Sequence, residues 1–517
     1  MRVRLALILA VALGVRLYAL GTNPLELHAD ELAGVVGVDN VLHGRAPLVP
    51  FFDLRVEYLP LYGLFETAST SLLGLNAFAM RLPAALLGVV SVAALRWFTY
   101  ELLAPTRRGH DRTVSFVLAD GAAALFAVLP WSVHISRLGW ENAAVFPFLL
   151  GGLAALTRGL RLREERWLLL AGVLLGIGAY SYRAEPVDGV LLGGALVAAR
   201  WNDARGLARS LGLAVAIGVT IAAPLGVGVA THRRFFWRDA NIATFGHGYT
   251  PAALGTFVHN YAAHFALGPL FGYGDGILDH GPHYGELYWW MLPFLLIGVV
   301  TAPRLVGRAG AVVLWAWLAI YPLGGALTND GVPDFPRTMI GAPLACILAV
   351  IGLRAVYLWL GQFREAARLR DLMVTALSVT AAVALSDFAR VYFTVYPAMA
   401  ADAFKYGTAS LFHTIGVLGV GERRVCFGSL DWYNYDTYVD FYMRESPLTP
   451  IEGLGFACTL PGSLIVVDAP GKASVGVKLI GAVPNYEGNV MSYIYRTQTV
   501  GKSARLDARA RRCWRWR

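Results

Sequence analysis

Apolar residues run through this chain in blocks and do not alternate with polar ones. The blocks lie near residues 4–20, 82–103, 114–130, 144–157, 167–181, 187–199, 210–230, 287–302, 311–327, 339–359 and 372–392. A helix crossing the ~30 Å hydrocarbon core needs roughly 20 mostly apolar residues, because lipid offers the backbone no hydrogen-bond partner. The pattern therefore predicts a mainly α, polytopic membrane protein of about eleven transmembrane helices. Arg16 interrupts the first block and no small-x-small cleavage pattern precedes Pro24, so this block is read as a retained span.

Two stretches break the pattern. The connection 21–80 is too apolar for a loose loop, and its segments 31–42 and 58–73 read as amphipathic helices lying along the interface. After about residue 393, Gly, Asp, Tyr and Ser increase, and β-rich runs at 424–427 and 464–467 flank a helical segment at 433–442. This predicts a transmembrane domain over 1–392 and a small α/β domain over 393–517. Cys426 and Cys458 fit either a disulfide or two buried thiols, while Cys346 in a span and Cys513 in the tail suggest no metal site. The basic tail 509–517, with Trp514 and Trp516, suits contact with anionic headgroups.

Composition agrees with the pattern: 56% of the 517 residues are hydrophobic and the mean hydropathy is +0.52. The net charge of +9 comes from arginines clustered on alternate connections, such as Arg107, Arg108 and Arg112, or Arg158, Arg161, Arg163 and Arg166. By the positive-inside rule these connections are cytoplasmic, so the charge reflects topology and needs no nucleic-acid partner. The connection 21–80, the loop 231–286, the loop 328–338 and the C-terminal domain then lie outside the cytoplasmic membrane. The acidic residues of interest all face that one compartment.

The segment His28-Ala29-Asp30-Glu31, just after the first span, sets two adjacent carboxylates at a membrane surface. A carboxylate there, backed by external arginines, can deprotonate an acceptor while the arginines hold a phosphate leaving group. Transfer of a sugar from a polyprenyl-phosphate carrier needs those parts. Inversion needs one base and no covalent intermediate, by analogy with glycoside hydrolysis.

These residues resemble the membrane-embedded glycosyltransferases of the C-type fold, in particular the protein mannosyltransferase and aminoarabinose transferase-like superfamily. The resemblance covers roughly residues 1–400. It rests on Arg16-Leu17-Tyr18 with His28 to Glu31, Arg81-Leu82-Pro83, Arg137 to Asn142, Tyr182-Arg183, Gly274-Asp275 with His283 and Gly285 to Tyr288, and Pro336-Arg337. It implies Asp30 as catalytic base or acceptor organiser, Glu31 as its companion, and Glu141 as the second acidic group. Asp120, at the cytoplasmic start of the third span, is rejected for that last role. Arg337, Arg183, Arg137 and Arg81 are the implied donor-phosphate ligands, and Asp275, His283 and Tyr58 the implied substrate contacts. The sequence departs from some relatives at Arg55-Val56-Glu57-Tyr58, where Arg55 stands in for a basic residue beside Glu57.

Each assignment has a plainer competitor. Asp30 suits the N-terminus of a helix, Glu141 is four residues from Arg137 and suits a helical ion pair, Arg183 suits an interface anchor, and Arg337 suits snorkelling at a span end. The histidines of the loop 231–286 lack a compact ligand spacing, so no cofactor is required and a divalent metal is unsupported by spacing. Neither nucleotide-loop pattern is present. The partners expected are a polyprenyl-phosphate sugar, membrane lipids, and a lipid, glycan or protein acceptor. A transporter or flippase of a lipid-linked or amphipathic substrate is the alternative from another class, although no internal repeat favours it. A structural subunit with a degenerate transferase fold is a third.

Overall fold

The computed structural model describes residues 2–42, 60–104, 112–231, 242–428, 435–443, 446–452, 454, 456–469 and 477–497. Tyr58, Arg55, Glu57 and the basic tail lie outside the described residues. Two compact units divide the chain, Met1–Ala403 and Phe404–Arg517.

The first unit is helical. It begins with α1 (Arg2–Leu17), α2 (Ala29–Leu42), α3 (Pro60–Leu73), α4 (Ala77–Leu103), α5 (Arg112–Val128), α6 (Pro130–Ile135), α7 (Val145–Leu162), α8 (Glu165–Gly178) and α9 (Glu185–Ala199). Long helices follow at Ala208–Thr231, Leu292–Leu305, Gly307–Ile320, Gly341–Leu360 and Ala366–Arg390. Each apolar block of the sequence falls on at least one helix. Among the described residues, however, only six runs are both long and apolar enough to cross a membrane: Ala77–Leu103, Glu141–Leu162, Trp201–Val227, Gly307–Ala326, Gly341–Leu360 and Ala366–Met399. The shortfall from eleven is geometric. The 14 residues of α8 rise only about 21 Å at 1.5 Å each, less than the ~30 Å core.

Small residues let these helices approach closely. A Cβ on Gly352 would collide with the Phe294 carbonyl oxygen, and one on Gly298 with that of Leu348. The helices Leu292–Leu305 and Gly341–Leu360 therefore meet backbone to backbone, as small residues allow in lipid, where no hydrophobic force drives association. α4 is the central element, packing on α1, α3, α5 and α7. Asn76 caps it by accepting the Ala79 N–H at 2.9 Å.

The second unit is α/β. Its five-stranded sheet has the order β2-β1-β3-β5-β4, from β1 (Arg424–Phe427), β2 (Thr449–Glu452), β3 (Ser463–Val467), β4 (Val477–Pro484) and β5 (Val490–Thr497). β1 pairs in parallel with β2 and β3, and β5 runs antiparallel to β3 and β4. The central strand β3 is buried along its whole length, as a strand covered on both faces must be. Cys426 and Cys458 are bridged and sit in a cluster with Ile465 and Val467.

Candidate active site

The rim where α1 ends and α2 begins is built from buried arginines. The last carbonyls of a helix lack intrahelical partners, and Arg137 supplies them. Its Nη1 donates to the carbonyls of Val15, Arg16 and Tyr18 at 3.0, 2.8 and 2.8 Å. Its Nη2 donates to Ala19 and Asn23 at 3.4 and 3.1 Å. The guanidinium also faces the rings of Tyr392 and Phe393. Sequence reasoning left open a pair with Glu141; residues 137–140 are not helical, and Arg137 turns to α1.

Glu31 closes the start of α2. Its carboxylate accepts the His28 N–H at 2.9 Å, the reciprocal half of a capping box, and the Gly139 N–H at 2.9 Å. Arg81 grips it with two bonds, from Nε at 2.7 Å and from Nη2 at 2.9 Å. The remaining Arg81 N–H groups go to the carbonyls of Leu20, Pro24 and Glu26. All five guanidinium donors are thus engaged, and none is left for a phosphate. Burial by itself would raise the Glu31 pKa, but the charge and hydrogen bonds of Arg81, with the Gly139 and His28 N–H groups, hold it below the ordinary carboxylate value. Glu31 is a fully buried anchor.

Asp30, one residue earlier, points outward with its side chain 58% exposed. Its backbone N–H donates to His28 Nδ1 at 3.3 Å. His28 Nε2 lies 3.5 Å from the Asp279 carboxylate, and Nδ1 lies 3.6 Å from that of Asp30. Trp140 packs edge-on against both His28 and His280. His280 in turn meets the buried Asp275 at 2.7 Å. Burial opposes its charge, but Asp275, aided by Asp334 and Asp279, pushes the imidazole up to about 9.

A second group gathers around Tyr182. Burial raises its phenol, Asp334 and Glu141 raise it further, and Arg337 and Arg183 oppose them. Glu141, Arg183 and Arg337 therefore share one neighbourhood although they come from three separate connections. Arg337 reaches Thr328 Oγ1 at 2.8 Å, Asp330 at 3.2 Å and Asp334 at 3.2 Å. Its turn is held by Trp131 Nε1 on the Phe335 carbonyl at 3.1 Å, Asn142 on that of Pro336 at 3.4 Å, and the Phe335 N–H on Asp275 at 3.5 Å. Asp275 thus links the two groups.

His283 is exposed and stands apart from these contacts. Tyr58 is outside the described residues. No role for His28, Trp140, Asp279, His280 or Asp334 is evident in the sequence; only the closeness of the loops reveals them. Glu66, one of the acidic residues of the connection 21–80, has two buried oxygens without a hydrogen-bond partner among the described residues. A Cβ on Gly139 would lie 3.4 Å from both Glu66 and Glu31. Burial, then the Glu31 charge, holds the Glu66 carboxyl well above its ordinary value. Among the described residues, no group of three or more His, Cys, Asp or Glu is placed to hold a metal ion.

The model of the dolichyl-phosphate-mannose-protein mannosyltransferase family matches residues 59–227. The architecture is similar to that of ArnT from Cupriavidus metallidurans bound to undecaprenyl phosphate, at 14% identity and a TM-score of 0.60, covering 95% of this chain and 97% of that one. The chain has the C-type glycosyltransferase fold. The apo state of the same ArnT matches at 15% identity and a TM-score of 0.54, over 95% and 97% of the two chains. The oligosaccharyltransferase of Archaeoglobus fulgidus, in the apo form, matches this fold at 14% identity and a TM-score of 0.50, over 90% of this chain and 69% of that one. No curated protein sequence matches the chain. The family match spans Arg81, Arg137, Glu141 and Arg183, whereas Asp30, Glu31 and Arg337 lie outside it.

Proposed function

We propose that this protein transfers a sugar, with inversion, from a polyprenyl-phosphate carrier to a lipid, glycan or protein acceptor at the outer face of the cytoplasmic membrane. The observation that carries this reading is the exposed Asp30 carboxylate, fixed beside a buried, self-satisfied Glu31–Arg81 pair in a fold similar to that of ArnT bound to undecaprenyl phosphate. Asp30 takes the proton of the acceptor hydroxyl or amine. The acceptor atom then bonds to the anomeric carbon, and the bond from that carbon to the phosphate oxygen breaks, its electrons leaving with the polyprenyl phosphate.

The supporting roles are chosen to fit the geometry of the described residues. Arg183 and Arg337 hold the departing phosphate, which takes the place of the exposed Asp330 on Arg337. Arg81, with all five donors committed to the protein, and Arg137, whose Nη1 and Nη2 groups hold the carbonyls at the end of α1, are assigned to positioning the rim and no longer to the phosphate. Glu31 is a positioning residue. Glu141 orients the acceptor, Asp275 orients through His280, and His283 contacts substrate, with Tyr58, outside the described residues, assigned the same role from sequence.

The test uses purified wild type and Asp30→Asn in nanodiscs with a panel of polyprenyl-phosphate sugars, reading released polyprenyl phosphate by mass spectrometry. Release by the wild type alone supports the donor class and the base. Equal release by both removes Asp30 as base, and failure of any polyprenyl-phosphate sugar to bind removes the reading altogether.

A further inference from the structure

The far end of α4 carries a second buried charge cluster that the proposed reaction does not use. Glu101 is fully buried and lies about twenty residues beyond Arg81 on the same helix, a rise of about 30 Å. That distance matches the hydrocarbon thickness, so Glu101 sits at the membrane face opposite Asp30.

Its chemistry is out of balance. Glu101 receives Arg158 at 2.6 Å and Arg161 at 2.5 Å, and Arg200 lies within electrostatic reach of Glu101 and Arg161. Two guanidinium groups share this one buried carboxylate, and the third is near enough to interact with it electrostatically. Asp203, the other carboxylate that Arg200 feels, lies 3.8 Å from Arg163. Arg200 is half-buried and has no hydrogen-bonded acceptor among the described residues, and the buried Arg158 Nε is likewise without one. A desolvated cation lacking an acceptor is costly. An anion with several oxygens would satisfy it.

The surroundings identify the anion's carrier. Trp167 stacks under Arg158, 4.6 Å from its guanidinium carbon, and Trp201 is 62% exposed beside Arg200 in sequence. Such rings mark the headgroup level. The run Trp201–Val227 that starts there has only 11% of its apolar window buried inside the protein. Acyl chains therefore have a bare helical wall directly below the cations.

The geometry points to a binding site for the phosphate of an anionic diacyl phospholipid, formed by Arg158, Arg161 and Arg200 around Glu101 on the membrane face opposite Asp30. Arg200 supplies free donors, Arg158 and Arg161 supply charge held in place by Glu101, and the apolar wall takes the chains. The site is independent of the sugar-transfer reading.

Native mass spectrometry of the full chain released from nanodiscs of phosphatidylglycerol and phosphatidylcholine tests this. Wild type is expected to retain phosphatidylglycerol in preference to phosphatidylcholine, and Arg200→Gln to lose that retention more than about tenfold, as removal of charge-assisted hydrogen bonds should. Arg163→Gln removes the same charge from the same face, at a residue 62% exposed, and is expected to change retention about fivefold at most. If Arg200→Gln does not fold, Arg200→Lys replaces it, with a smaller loss still exceeding that of Arg163→Gln. Equal losses at the two positions, no preference between the lipids, or displacement of the lipid by millimolar inorganic phosphate would each overturn the site.

Discussion

At one end of α4, Arg81 meets the single carboxylate of Glu31, and every guanidinium N–H finds an acceptor inside the protein. At the other end, Glu101 meets Arg158 and Arg161 with Arg200 close by, and donors are left over. The two clusters use the same residue types at the same degree of carboxylate burial. They differ in closure. A closed pair orders the backbone around it and excludes ligands; an open one keeps a charge for something outside the chain. The neighbours of the closed pair, Asp30 above all, are where the proposed chemistry takes place.

The largest break in this comparison is Glu31→Ala, which leaves Arg81 buried with no counter-charge. A loss of about 3–5 kcal/mol is expected, read as a collapse of the thermal unfolding temperature in detergent. An unfolding temperature close to wild type would mean that the pair does not anchor the rim. Asp30→Asn should leave unfolding unchanged, since the side chain is exposed, while transfer falls by at least about 100-fold; single-turnover kinetics on the folded variant measure it. Glu101→Gln should cost only about 1 kcal/mol, because Arg158 and Arg161 are 30% and 11% exposed and water and lipid phosphates replace part of the lost interaction. A loss as large as that of Glu31→Ala would erase the distinction between the clusters.

A separate effect is set by pH. His280 has a folded value raised to about 9, against about 6.5 when unfolded. The Asp275 pair therefore contributes its full stability below about pH 6.5, loses it as pH rises through about 9, and contributes nothing above that. Unfolding temperatures from pH 6 to 10 should fall across that window, and Asp275→Asn should flatten the slope. A wild-type slope unchanged by Asp275→Asn would assign the pH dependence to other groups.

The positions of the helices were legible in hydropathy, because lipid forces each backbone to satisfy itself and so leaves long apolar blocks in the sequence. Their lengths were less legible, as α8 and α9 show. The Asp-Glu pair after α1 was legible as a place of interest, but the division of labour within it was not. Two adjacent residues on a helix point in directions about 100° apart, so one carboxylate turned into Arg81 and the other into solvent. Arg81 and Arg137 looked like phosphate ligands from their place near the rim. What they touch depends on carbonyls of residues 15–26, which no spacing rule predicts.

The sequence by itself determined the membrane-spanning character, the α/β nature of the second unit, and the candidate carboxylates and arginines, since these follow from composition and from periodicity along one chain. Only the tertiary structure decided which arginines are closed and which are open. Closure depends on whether a guanidinium meets enough acceptors from segments distant in sequence, and those acceptors are mostly backbone carbonyls, identical at every position of the chain and therefore silent in its letters.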